Sequence, residues 1–317
     1  MAAAGRMWVV APVYRDVESF LRLRPRLVEQ AAGLPNGGLV PSFVVVDDTA
    51  GLDPEMAQLA GLADVTVLAP PFNLGHQRAL VFGLRAIAGQ VAATDVVLTI
   101  DADGEDRPED LPRLLAPLLS APPEARLLVL ARRTRRQETL PFKLLYAGFK
   151  IFFRSLTGLL VNTGNFAAYR GWLLARAVFH PHFDLCYSST LLSLGLPTVF
   201  VPCEKGPRYC GRSRMGYFKL IVHGVRMLMP FIDRIAVRAL VAFSGTVALG
   251  ALLAILALAG TVLSGSAVPV WTLYAMLLAL LLMVSFVAVA NLIVLFTVFT
   301  QSRGFALAGL ERENGPV

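Results

Sequence analysis

Val96-Val97-Leu98-Thr99-Ile100-Asp101-Ala102-Asp103-Gly104-Glu105 is the stretch on which the reading of this chain turns. A β-branched, apolar run ends abruptly in three carboxylates. It reads as a buried strand that delivers an acidic turn to one edge of a sheet. A lone Asp-x-Asp is usually a turn or a helix cap. Here Pro108 and Glu109 open a helix shortly afterwards, which also gives Asp106 a capping role.

Working outward, the same arrangement recurs. A strand at 8–10 is followed by Pro12-Val13-Tyr14-Arg15-Asp16, and a strand at 43–46 by Asp47-Asp48-Thr49. Further runs lie at 65–68, 127–130 and 198–201. Helix-length segments at 17–31, 75–88 and 108–119 separate the earlier strands. The alternation predicts an α/β fold, a mostly parallel, doubly wound sheet with helices on both faces. Ligands of such sheets bind beyond the carboxyl ends of the strands. Three acidic clusters fall there. Crowded carboxylates repel one another, and a hard divalent cation shared with substrate phosphates would compensate.

Of the 317 residues, 56% are apolar and 16% charged, with mean hydropathy +0.61. That excludes a disordered chain, and three cysteines without a CxxC pair exclude a disulfide scaffold or Cys-rich zinc site. Residues 239–302 contain no Asp, Glu, Lys, Arg or His. They predict a transmembrane hairpin, within 235–302, of helices at about 235–263 and 270–300, broken at Ser264-Gly265-Ser266 and Pro269. Arg234, Arg238 and Arg303 flank it, so both ends are expected in the cytoplasm. Asn291 in the second span reads as a helix–helix hydrogen bond. No secretory signal is read before Arg6, which keeps the first domain cytosolic.

Charge is divided along the chain. Residues 1–130 carry a net −6, residues 131–238 a net +13, and the remainder none. An acidic first part suits a divalent cation. A basic middle beside apolar spans suits phosphate or anionic lipid rather than nucleic acid, because it runs straight into the membrane. The segments 140–160 and 215–231 mix aromatic and basic residues at helical spacing and read as interfacial amphipathic helices. The expected organisation is a domain over 1–214, a juxtamembrane helix over 215–232, the hairpin, and a cytosolic tail over 303–317.

With these residues in hand, the chain resembles the family 2 glycosyltransferases of GT-A (Rossmann-like) fold. Within them it is similar to the polyprenyl-phosphate hexosyltransferases, the group of dolichyl-phosphate mannose synthase and undecaprenyl-phosphate glucosyltransferase. Pro12, Tyr14 and Asp16 match the family's opening Pro-x-Tyr-Asn-Glu run, and Val46-Asp47-Asp48 its Val-Asp-Asp. Asn73-Leu74-Gly75 matches Asn-x-Gly, and Asp101-Ala102-Asp103 with Pro108-Glu109 the metal motif. Arg132, Arg133 and Arg136 match arginines after the fifth strand, and Arg208, Gly211, Ser213 and Arg214 an Arg-x-x-Gly-x-Ser-basic motif. The resemblance covers about residues 7–300. Arg15 replaces the usual Asn, Asp16 the usual Glu, Thr49 a common Gly, and Glu105 a frequent Gln.

The resemblance implies an inverting transfer of a hexose from a UDP- or GDP-sugar to a polyprenyl phosphate on the cytosolic face of the plasma (inner) membrane. It implies that Pro12, Tyr14, Asp16 and Asp48 hold the nucleoside, with Asp101 near the ribose and phosphates. Asp103, with Glu105, would hold Mg²⁺ or Mn²⁺. Arg132, Arg133, Arg136, Arg208, Ser213 and Arg214 would grip the lipid phosphate, as guanidinium groups do bidentately. Asp184 is a candidate for orienting sugar or acceptor, or else a helix cap. Asn162-Thr163-Gly164-Asn165-Phe166 resembles the family's acceptor-side segment before a short strand, or forms a plain turn. His76, at the start of a helix, could face the donor phosphates but reads rather as a surface histidine, and His180-Pro181-His182 lacks a third metal ligand. The rival readings are a different lipid or glycan acceptor, and an inactive GT-A scaffold. The homo-oligomeric state stays open, although two-span relatives can form tetramers.

Overall fold

The structure of the chain, a computed structural model, describes residues 5–35, 37–133, 140–160, 163–211, 217–265 and 270–302. It comprises two compact units. One takes in Met1–Ile151 and Leu160–Pro230, the other Phe152–Leu159 and Phe231–Val317.

The first unit is built on a seven-stranded sheet in the order β3-β2-β1-β4-β6-β5-β7. Its strands are β1 (Gly5–Val13), β2 (Leu39–Asp47), β3 (Val65–Leu68), β4 (Val96–Thr99), β5 (Leu128–Arg133), β6 (Thr163–Arg170) and β7 (Thr198–Cys203). β1 pairs in parallel with β2 and β4, β2 with β3, and β5 with β7. β6 runs antiparallel between β4 and β5. The strand pattern did not supply β6, because Thr-Gly-Asn-Phe-Ala-Ala-Tyr-Arg has few β-branched residues; burial against its two neighbours makes it a strand.

Helices cover both faces, as a parallel sheet requires. Alternate residues of β1 feed two cores. Met7, Val9 and Ala11 pack with α1 (Val17–Ala32) and α3 (Leu111–Ser120). Trp8 and Val10 pack with α2 (His76–Ile87), α5 (Gly171–Ala177) and α6 (Tyr187–Ser193). Phe20, Leu23, Leu27 and Ala31 form the buried stripe of α1 at helical spacing. Each large side chain so buried is worth about 1.5–3 kcal/mol. Gly83 lets α2 press onto the sheet, since a Cβ there would lie 2.7 Å from Val46 Cγ2 and 2.8 Å from Val10 Cγ1.

β1 lies where the strand order reverses, with β2 on one side and β4 on the other. The segments after β1, β2 and β4 therefore meet at one crevice. α4 (Leu140–Thr157) and α7 (Tyr217–Leu228) fall on the two segments expected to be interfacial. In the first unit, the Phe149 ring lies over Gly224, 3.0 Å from where a Cβ would stand.

In the second unit, α8 (Ile232–Ser264) and α9 (Val270–Ser302) are long and apolar enough to cross a membrane. Their outer residues, such as Leu253, Leu256, Leu278 and Leu282, are exposed, which suits lipid rather than water. The side chain of Asn291, Arg303 and the tail over 303–317 lie outside the described residues.

Candidate active site

The acidic turn leaves β4 at the switch between β1 and β4. Ile100 N still donates to Val10 O at 3.2 Å, so the turn is fixed to the centre of the sheet. Gly104 adopts φ +83, and the Tyr209 ring sits on it, 2.8 Å from where a Cβ would stand. Asp103 Oδ1 accepts from Glu105 N at 2.9 Å, closing the turn.

Four acidic side chains, Asp101, Asp103, Glu105 and Asp106, share this turn, and basic groups from distant segments meet them. Arg133, at the end of β5, donates to Asp106 Oδ1 at 3.1 Å and lies 3.8 Å from Asp101 Oδ2. Arg208 reaches Asp103 Oδ2 at 2.7 Å and Glu105 Oε1 at 2.9 Å. Lys205 lies 3.1 Å from Glu105 Oε2. His76, at the start of α2, lies 3.0 Å from Asp101 Oδ1.

A hydrogen-bond chain orients Asp101. Tyr187 N donates to Gln77 Oε1 at 2.9 Å, so Gln77 Nε2 donates to Asn165 Oδ1 at 2.8 Å. Asn165 therefore donates its amide nitrogen to Asp101 Oδ1 at 3.2 Å, the same oxygen that His76 Nε2 meets at 3.0 Å. Amide orientation follows from the one fixed donor, the backbone N–H.

Proton affinities follow the geometry. Burial opposes ionisation of Asp101, but His76 and Arg133 outweigh it and hold the carboxyl below the usual range. Burial and the Asp101 charge push Asp103 up to about 6 and Asp106 up to about 7. Burial disfavours charge on His76, yet Asp101 outweighs it and raises the imidazole. Ionised Asp101 thus raises its acidic neighbours and His76 alike.

The two carboxylates after β2 have different tasks. Asp47 is consumed by its own turn, accepting from Thr49 N and Gly51 N, both at 3.0 Å. Asp48 Oδ1 accepts from Leu74 N at 2.7 Å and Gly75 N at 3.2 Å, tying β2 to the loop before α2. Burial raises Asp48 against those two amides. Pro12 is buried in β1, Tyr14 is half-exposed just past it, and Asp16 precedes α1 without capping it through its side chain. Asp48 N donates to Val13 O at 2.9 Å, which joins the two segments. Arg15 takes φ 51, a left-handed backbone that Asn, the family's usual residue, adopts more readily than Arg.

Not every candidate joins this cluster. Asp184 forms a two-pronged pair with Arg85, at 2.7 and 2.8 Å. Cys186, not Asp184, occupies the N-cap position of α6. The pair borders a surface depression with Leu74, Arg78 and Phe82. Arg132 is exposed at the end of β5. Arg136, Ser213 and Arg214, with Asn162, lie outside the described residues. Asp106 does not cap the helix after Pro108, since Arg107 holds that position and Asp106 turns inward to Arg133. Gln77, Lys205 and Tyr209 were not picked out by sequence; His76 was, by its position at a helix start, but as a surface histidine.

A divalent cation fits the chemistry of this donor set. Asp103 and Glu105 already converge on one positive centre, the Arg208 guanidinium. No group of three or more His, Cys, Asp or Glu side chains is arranged for a metal among the described residues. Two carboxylates plus substrate phosphates is the usual provision for Mg²⁺.

An undecaprenyl-phosphate 4-deoxy-4-formamido-L-arabinose transferase of Edwardsiella ictaluri is 29% identical over 261 residues, covering 76% of this chain and 72% of the relative. A protein of the same name from Pectobacterium carotovorum is 28% identical over 228 residues, covering 67% of this chain and 63% of its own length. A solved mycobacterial protein aligns over 73% of this chain and 75% of its own, with 18% identity and a TM-score of 0.46. Residues 8–181, more than half of the chain, match the family model for glycosyl transferase family 2. The chain belongs to glycosyl transferase family 2.

Proposed function

We propose that this chain transfers a hexose from a UDP- or GDP-sugar to a polyprenyl phosphate, with inversion at the anomeric carbon. The observation that carries the reading is the acidic turn Asp101–Asp106 at the switch between β1 and β4, met by Arg133 and Arg208. The names of the relatives support the acceptor class. The two apolar helices support a membrane-bound acceptor, and the arginines flanking them support a cytosolic site at the plasma (inner) membrane.

Each group has a task in that reaction. Tyr14 offers the nucleoside a half-exposed ring. Asp48, oriented by Leu74 and Gly75, binds the base, with Pro12 and Asp16 shaping the pocket. Asp101 stays ionised and orients the donor. Asp103 and Glu105 would hold Mg²⁺ or Mn²⁺, whose charge would offset that on the leaving diphosphate. Arg132, Arg136, Ser213 and Arg214 belong to the acceptor side; Arg133 is largely taken by Asp106. An acceptor phosphate oxygen attacks the anomeric carbon, its bond to the donor diphosphate breaks, and the nucleoside diphosphate leaves with the electron pair. No proton moves, because a phosphate monoester with second pKa about 6 is already an oxyanion. Asp184, paired with Arg85, then serves to orient sugar or acceptor rather than to act as a base.

The test is a donor panel. Purified protein in detergent receives a polyprenyl phosphate, Mg²⁺ or Mn²⁺, and UDP- and GDP-sugars, and lipid products are read by mass spectrometry. A polyprenyl-monophosphate hexose supports the reading. Donor binding without this product assigns the chain another acceptor, and neither product nor donor binding assigns it a scaffold role.

A further inference from the structure

Arg208 stands where a cation would. Its Nη2 is 2.7 Å from Asp103 Oδ2 and its Nε 2.9 Å from Glu105 Oε1. The segment that carries it is strapped along the acidic turn. Gly206 N donates to Glu105 O at 2.8 Å and Tyr209 N to Asp103 O at 2.9 Å. Lys205 pairs with Glu105 and forms a backbone bridge with Asp106. The Tyr209 ring covers Gly104, and its hydroxyl accepts from Arg26 at 2.8 Å.

A guanidinium and a divalent ion on the same two oxygens repel one another. A guanidinium is never deprotonated in a protein, so it cannot yield by losing its charge. A divalent ion coordinated by Asp103 and Glu105 would lie within a few ångströms of Arg208 and repel it. That repulsion favours the departure of one of the two. The displaced guanidinium would carry a planar fork suited to a phosphate monoester, and its carboxylate partners would no longer compete for it.

We propose that Arg208 and the divalent cation occupy the Asp103–Glu105 pair alternately, and that the guanidinium so released takes the acceptor phosphate. The second half rests on the transfer reaction proposed above; the first does not. The exchange keeps the acidic turn neutralised before donor arrives. It also orders binding, cation and donor first and acceptor phosphate second, because Arg208 is free for phosphate only once the carboxylates are taken. Withdrawal of Arg208 pulls on the strap, so Cys210 changes environment with it. Cys210 is partly exposed, whereas Cys186 and Cys203 are buried.

The experiment uses the full chain in detergent, without nucleotide. Free Mn²⁺ is measured by electron paramagnetic resonance during titration of wild type, Arg208→Gln and Arg208→Lys. The exchange predicts that Arg208→Gln binds Mn²⁺ at least about tenfold more tightly than wild type, while Arg208→Lys, which keeps the charge, stays within about threefold of wild type. Unchanged or weaker binding in Arg208→Gln overturns the proposal, as does absence of Mn²⁺ binding in both. A second reading needs no variant of the strap arginine. Saturating Mn²⁺ is expected to change the maleimide labelling rate of Cys210 in wild type at least about threefold, with Cys210→Ser as background; an unchanged rate overturns the proposal. Tighter Mn²⁺ binding in Arg208→Gln with no lipid product in the donor panel would uphold the exchange and remove the transfer reaction.

Discussion

Arg133 donates to Asp106 Oδ1 at 3.1 Å, and this pair joins the end of β5 to the turn after β4. The two strands are not neighbours, since β6 lies between them. Asp106 is 5% and Arg133 20% exposed, so the pair is largely shielded from water. Removing one partner from such a pair leaves an uncompensated charge. Arg133→Ala is therefore expected to cost about 2–4 kcal/mol near pH 8, and Arg133→Ala with Asp106→Asn to recover most of it. Denaturant unfolding of the four proteins in a double-mutant cycle checks this. Additive losses would show that the pair does not couple.

The raised Asp106 gives a pH prediction with a definite sign. Its carboxyl is pushed from 3.8 to about 7, by burial first and the Asp101 charge second. The folded state then holds a proton that the unfolded state has released. Its contribution is present below 3.8 and is lost as pH rises to about 7. Asp106→Asn carries no such titration. The melting temperature of Asp106→Asn minus that of wild type is expected to increase from pH 4 to about pH 7 and then level off. A difference that falls over this range contradicts the direction of the shift.

His76 is more than a surface histidine. Its Nε2 lies 3.0 Å from Asp101 Oδ1, the same oxygen that accepts from Asn165, which Gln77 orients. Under the proposed reaction, His76→Ala should lower kcat/KM by on the order of tenfold, the worth of one hydrogen bond to a charged group. His76→Gln, which keeps a donor, should recover part of that loss. Equal losses in both variants would mean that the hydrogen bond to Asp101 is not what His76 supplies.

Arg15 carries a local cost. Its φ of 51 lies in the left-handed region, which costs an ordinary side chain roughly 1 kcal/mol. Arg15→Asn is expected to raise the melting temperature by a few degrees. A lowered melting temperature would show that the Arg15 side chain contributes more than its backbone costs.

What could be read from the sequence was local. The strand runs at 43–46 and 96–100 end within one residue of β2 and β4, because an apolar run followed by carboxylates has few other solutions in a buried sheet, whereas the run at 8–10 stops three residues short of the end of β1. The hairpin limits at about 235–263 and 270–300 fall close to Ile232–Ser264 and Val270–Ser302, because a break in hydropathy needs no tertiary information. Asp48 and Asp101 sit at the crevice for the same reason. What could not be read depends on distant segments meeting. Crowded carboxylates suggested a cation, but Arg133, Lys205 and Arg208 already neutralise them, from positions 27 and 103 residues away in two of those contacts. The inward turn of Asp106 and the Arg85–Asp184 pair are tertiary in the same way, and β6 owes its existence to its neighbours.

Metal-assisted transfer of a hexose to a polyprenyl phosphate by the acidic turn is decided by one comparison. Wild type and Asp103→Ala, both first shown to be folded, are incubated with polyprenyl phosphate, the donor panel and Mn²⁺, with and without a chelator. Polyprenyl-monophosphate hexose is expected from wild type with Mn²⁺, and at least about a hundredfold less from Asp103→Ala or from wild type with chelator. Equal product in all of these samples would rule out metal-assisted transfer by this turn.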